Sequence, residues 1–175
     1  MNKVKNQNLT PREQLLQKYN STRVNLILAV ALTVANIVLY IAGSETMMLF
    51  SASIPFYAVI IGSAVTVPAF AIIFYAIAAV SLVVYLLSWI FSKKRFGWLI
   101  PALVFFVIDT VVMIVMYIWA EDFSGVMDIV LHAYILYSLF VGVISGSKLK
   151  KMPPEEVEAP VVEVRETVDP EHWAE

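Results

Sequence analysis

One carboxylate and one imidazole lie deep inside the apolar blocks of this 175-residue chain, Asp109 and His132. Such a pair can relay a proton or hold a cation or small polar solute, because both groups change charge within reach of neutral pH once buried. An aspartate midway along a membrane-length apolar segment costs about 2.5–3.5 kcal/mol on insertion scales, so it faces protein or water and not lipid. Counting back from a turn near Asp122 at 1.5 Å per residue, Asp109 is level with Leu136 and Tyr137, and His132 lies about one helical turn closer to the outer face. The two can therefore meet directly or through a water. Asn36 and Tyr75 fall at similar depth on their own segments, which makes Asp109, His132, Asn36 and Tyr75 the expected polar cluster. The same groups have a plainer use, hydrogen bonding across helices at about 1 kcal/mol each. With one acid and one base at this depth, the structural use is favoured.

Enzyme signatures are missing. His132 and His172 form no His-x-x-x-His or His-Glu-x-x-His pair, and no Gly-x-Ser-x-Gly, phosphate-binding glycine loop or paired intramembrane aspartate is present. The chain has no cysteine, which excludes disulfides, thiolate nucleophiles and zinc–thiolate sites. No cofactor or metal site is read, and the expectation is a protein that is not an enzyme.

The elements that must position these residues follow from composition and charge. Hydrophobic residues make up 60% of the chain and charged residues 15%, far from a soluble domain of this size. All twelve Lys and Arg fall in three stretches, Lys3 to Arg23, Lys93 to Arg95 and Lys148 to Arg165. The polar breaks between them carry only acids, Glu45, Glu121 and Asp122. Basic loops resist translocation while acids hardly count, so both termini are expected in the cytoplasm of a multi-pass cell-membrane protein. No nucleic-acid footprint is present.

The fold expected is all-α: a four-transmembrane-helix bundle with a short outer re-entrant or surface segment and a disordered cytoplasmic tail. Residues 1–23 form a cytoplasmic segment with a short amphipathic helix over about Pro11–Tyr19. Thr10-Pro11-Arg12-Glu13 supplies its cap, first-turn proline and capping-box glutamate. That helix either lies along the inner leaflet or extends the first span. The membrane domain is 24–147, with spans at about 24–42, 67–91, 98–119 and 126–145, each close to the ~20 residues that cross a ~30 Å hydrocarbon layer. Met47 to Val65 is apolar but interrupted by Pro55, and a full crossing would export Lys93-Lys94-Arg95, so it is read as the re-entrant or surface piece. Trp89 and Trp98 mark the inner interface, and Tyr40, Tyr117 and Trp119 the outer one. Residues 148–175 are a basic then acidic, Pro/Glu/Val-rich tail too polar to bury a core.

On span four, Asp128, His132, Ile135, Leu139, Gly142 and Gly146 recur on one side, and Gly142-x-x-x-Gly146 has the small-residue spacing that lets helix backbones approach. On span one, Asn25, Ala29, Thr33, Asn36 and Tyr40 form a second polar stripe. Both stripes predict inward faces.

The segments Leu9-Thr10-Pro11-Arg12-Glu13-Gln14-Leu15-Leu16, Leu49-Phe50-Ser51-Ala52-Ser53-Ile54-Pro55, Gly97-Trp98-Leu99-Ile100, Ile108-Asp109-Thr110 and Asp128-Ile129-Val130-Leu131-His132-Ala133 resemble small four-span membrane proteins of Gram-positive bacteria that have no assigned function. The resemblance covers roughly the first 150 residues. It implies the four-span topology, a longer outer connection after Pro55 than this chain has, and no functional residue. The function expected is a non-catalytic scaffold, accessory or regulatory subunit in the bilayer, with a protein partner on the tail. The alternative is a small homo-oligomeric transporter or channel component using the Asp/His cluster.

Overall fold

A computed structural model of the chain describes residues 9–44, 51–120 and 126–153. Among them are five helices: α1 (Pro11–Ile41), α2 (Ser53–Ala64), α3 (Pro68–Ser92), α4 (Leu99–Ala120) and α5 (Val126–Lys151), with a single 3-10 turn at Phe96–Trp98. The four longer ones have the length and apolar character to cross a membrane, while α2, at 12 residues, is too short. The expectations for residues 1–8, the tail beyond Pro153, the turn at Glu121 and Asp122, Glu45, and the start of the Met47 segment lie outside the described residues.

Local chemistry sets the helix limits. Thr10 accepts from the Glu13 amide at 3.2 Å while the Glu13 carboxylate accepts from the Thr10 amide at 2.8 Å, so the capping box forms with Pro11 in the first turn. At the other end of α1, Gly43 takes a left-handed φ of 74°. Its amide donates to Tyr40 and that of Ser44 to Leu39, the paired bonds of a Schellman turn. Between these ends α1 is one unbroken 31-residue helix, and the amphipathic piece is its first turns. The helix therefore extends the span and does not lie flat: Tyr19 is buried, and Leu15 and Leu16 pack on the core. The helix also persists past the expected end of span four, through Lys151, since Leu149 is buried and Lys148, Lys150 and Lys151 complement the carboxyl end of the helix dipole.

The described parts of the three basic stretches meet at one end of the bundle. The Arg12 guanidinium donates to the Pro153 carbonyl at 2.7 Å, which joins the start of α1 to the end of α5. The Tyr19 ring packs edge-on against Phe96, and its hydroxyl donates to the Ser92 carbonyl at 2.8 Å. Arg23 donates to the Ser92 hydroxyl and to the Trp89 carbonyl, so a cation and a phenol cover the carbonyl end of α3. We refer to this as the basic end.

α1 and α5 form the tightest seam. The Thr22 hydroxyl donates to the Ser138 carbonyl at 2.8 Å and the Asn25 amide to the Ser138 hydroxyl at 2.8 Å. A Cβ on Gly142 would stand 2.5 Å from the Thr22 methyl, and one on Gly146 3.0 Å from Tyr19 and Phe96, so both glycines hold the close approach their spacing predicted. The outward faces carry large apolar side chains such as Val38, Phe70, Ile72, Val80, Val111 and Ile118, an arrangement stable only against lipid.

Candidate functional site

The site is the buried start of α2. A helix leaves its first amides without intrahelical acceptors, and at this depth no water can take them. The Ala52 amide donates to the Thr33 hydroxyl of α1 at 2.7 Å. Those of Ser53 and Ile54 donate to the two carboxylate oxygens of Asp109 on α4, at 2.9 and 2.6 Å. The next residue is Pro55, which has no amide hydrogen to satisfy. Every orphan donor of this helix end is thereby accounted for, three by side chains of neighbouring helices and one by its absence. Asp109, fully buried, also sits where the helix dipole is positive.

His132 on α5 closes the cluster. Its Nε2 is 3.3 Å from Asp109 Oδ2 and 3.4 Å from the Ser53 hydroxyl, its Nδ1 is 3.0 Å from the Asp128 carbonyl, and its ring stacks on Phe106 at 5.1 Å. A carbonyl oxygen only accepts, so Nδ1 carries a hydrogen. Nε2 then stands between the Ser53 hydroxyl, which can donate to it, and Asp109 Oδ2. Thr33 is fixed by donating to the Ala29 carbonyl at 2.7 Å, which leaves its lone pairs for Ala52.

Depth follows from the same contacts. Asp109 is ten residues from Leu99 and eleven from Ala120, about 15 Å from each end of α4. α2 therefore starts near mid-bilayer and climbs about 18 Å over its 12 residues to the far end, where Val65 leads into α3. Of the two forms expected for this segment, re-entrant and surface, the fold takes the first.

The expected cluster is only partly assembled. Asp109 and His132 meet as counted. Asn36 is buried on the same face of α1 as Thr33. Tyr75 stands apart: it is 44% exposed, and its hydroxyl is 3.3 Å from Ser63 near the end of α2, where Gly62 admits its ring. Ser63 is ten residues, about 15 Å, along α2 from Ser53, so Tyr75 serves the outer end of that helix and not the cluster. Ser53 is the member that sequence reasoning missed, together with the role of Thr33. Also missed was α3's inward stripe, Ala78, Ser81, Tyr85, Ser88 and Ser92, although small and polar residues at helical spacing signalled it. The Tyr85 hydroxyl in that stripe is buried with no partner among the described residues, beside a slit lined by Ala29, Ala52 and Phe106 that is too narrow for water. No metal-competent group of His, Asp or Glu is found among the described residues.

Fold and site together define an all-α, multi-pass membrane protein with a re-entrant helix clamped at mid-bilayer. No protein-family model, curated protein or solved structure matches the chain.

Proposed function

We propose that this chain is a non-catalytic scaffold, accessory or regulatory subunit of the cell membrane, with both termini cytoplasmic and the tail beyond Pro153 offered to a protein partner. The observation that carries this reading is the use of Asp109: both its oxygens accept from the backbone of α2, so the most reactive group within the spans is committed to holding the fold. Where a half-helix in a transporter aims its amino end at an anionic substrate, this chain places its own carboxylate. Gathering of the basic residues at one end supports the orientation, and the Arg12–Pro153 bond supports a tail that departs beside the start of α1. The proposal includes kinship with the small four-span proteins of Gram-positive bacteria. The test is co-purification from native membranes with and without residues 154–175. The reading expects a stoichiometric partner that is lost on truncation, and the same complex surviving truncation refutes it.

A second reading has one specific observation in its favour. A half-helix that starts at mid-depth against a carboxylate and an imidazole 3.3 Å apart is the layout of a proton-coupled carrier, here a homo-oligomer because four spans enclose little aqueous volume. Asp109→Asn separates the two: the carrier reading expects lost flux in proteoliposomes with folding intact, and the scaffold reading expects a destabilised bundle.

A further inference from the structure

A cavity of about 520 Å³ opens at the basic end, lined by Lys94, Arg95, Phe96, Gly97, Trp98, Pro101 and Lys150. We infer that this cavity is a binding site for the phosphate-bearing headgroup of an anionic phospholipid, with Lys94, Arg95 and Lys150 holding the phosphate and Phe96, Trp98 and Pro101 seating the glycerol and upper acyl chains.

Three features support this occupant. The first is charge. Lys94, Arg95 and Lys150 come from two separate parts of the chain, the α3–α4 connection and the end of α5, and converge on one hollow. Among the described residues none of the three forms a bridge with a carboxylate. Glu13, an acid on the same end, has its carboxylate on the Thr10 amide. Cations brought together without a counter-ion repel one another, and a phosphate relieves that repulsion while accepting several charge-assisted hydrogen bonds.

The second is position. Pro101 is in the first turn of α4 and Trp98 directly precedes that helix, so the floor of the cavity is the level at which the apolar span begins. The cations rim the hollow on the side away from the span. Phosphate and acyl ester stand in that order at a bilayer surface, and an indole at this level is a usual interfacial anchor. Trp98 is held by Phe91, whose ring centroid is 4.8 Å away, and a second hollow lined by Phe91, Lys94, Arg95 and Trp98 continues along the same wall.

The third is size. The volume lies within the ~300–1,000 Å³ of small-molecule sites, more than a bare phosphate fills and suited to a glycerophosphate with the chains leaving sideways. The local fold keeps it open: the chain turns through the 3-10 segment over Gly97, and a Cβ there would meet nothing within 4 Å.

The test uses the full chain in nanodiscs of phosphatidylcholine containing a minority of phosphatidylglycerol, with native mass spectrometry counting retained lipid. The triple variant Lys94→Gln, Arg95→Gln, Lys150→Gln is expected to lose about tenfold in phosphatidylglycerol retention. The control Lys93→Gln, Lys148→Gln, Lys151→Gln removes the same charge from exposed positions outside the cavity and is expected to retain the lipid. All six side chains are exposed, so folding is preserved, and melting temperatures of both variants check this. Equal loss in the two triples would mean diffuse attraction to the membrane surface and would overturn the site. So would displacement of the lipid by millimolar glycerol 3-phosphate or inorganic phosphate, which would mark a soluble ligand. Retention that arises only after deletion of residues 154–175 would assign the cavity to the acidic tail and refute the lipid.

Discussion

Two polar seams cross this bundle, and they are built differently. At mid-depth, Thr33, Asp109 and His132 from three helices converge on the start of α2 and accept from, or brace, backbone donors that have no other partner. Nearer the basic end, Thr22, Asn25 and Ser138 join α1 to α5 where every amide and carbonyl involved is already inside a regular helix. The first seam makes an element possible, and the second adds to contacts that exist without it. Polar side chains in a membrane protein thus differ in consequence according to what the group they touch would otherwise do.

Asp109→Ala gives the comparison its sharpest test. It strips the Ser53 and Ile54 amides of acceptors and leaves the His132 Nε2 without its carboxylate, all beyond the reach of water. Unpaired buried donors cost about 1–3 kcal/mol each, and Asp109 satisfies two of them. A loss of about 4 kcal/mol in detergent–SDS unfolding titrations is expected. Labels on α2 should report its release before the four spans separate. Loss below about 1 kcal/mol would show that α2 is held by apolar packing on α3 and that the clamp is incidental.

Gly142→Ala should cost about 2 kcal/mol, the range for overpacking, through contact with Thr22 on the second seam. Its Cβ would fall 2.5 Å from the Thr22 methyl and 2.6 Å from the hydroxyl oxygen, both on a short branched side chain that has nowhere to swing. Combining it with Thr22→Ala removes those two atoms but leaves the Thr22 Cβ at 2.7 Å, so partial rescue is expected in a double-mutant cycle. Strict additivity would show that the helices separate rather than clash.

How far these seams could be read in advance depended on whether the signal was local. Span number and alternation were legible because cations and apolar length act residue by residue. Gly142 and Gly146 were legible from spacing, and the meeting of Asp109 and His132 from a rise of 1.5 Å per residue along two antiparallel helices. The continuity of α1 was only half legible, since the short helix over Pro11–Tyr19 could equally lie along the inner leaflet or extend the first span. Asn20-Ser21-Thr22-Arg23 stay helical because Thr22 and Arg23 find acceptors on α5 and α3 that only the assembled bundle provides. The depth of α2 was equally hidden. An apolar 12-residue stretch has the same composition on the surface as inside, and what draws it inward is the Asp109 carboxylate, 55 positions further along the chain from Ile54. Tyr75 was misplaced for a related reason: counting from a turn gives only a backbone level, while the rotation of α3 is set by its whole inward stripe from Ala78 to Ser92 and turns the Tyr75 hydroxyl to Ser63 at the outer end of α2.

The finest test compares two threonines on one helix. Thr33→Val and Thr22→Val are the same change at buried positions of α1, each removing one hydroxyl and conserving shape. The Thr33 oxygen accepts from the Ala52 amide, which precedes the first turn of α2 and has no helical acceptor, so its loss leaves a bare donor in an apolar setting. The Thr22 oxygen donates to the Ser138 carbonyl, which already receives the Gly142 amide within α5, and its loss costs only a second bond to a satisfied acceptor. Interhelical hydrogen bonds of that kind average about 0.6 kcal/mol, against about 1–3 kcal/mol for an unsatisfied buried donor. Thr33→Val is therefore expected to destabilise by about 2 kcal/mol and Thr22→Val by about 0.5 kcal/mol in the same SDS titration. Equal values would mean that another acceptor reaches the Ala52 amide once Thr33 is gone, and the distinction between the two seams would rest on Asp109 alone.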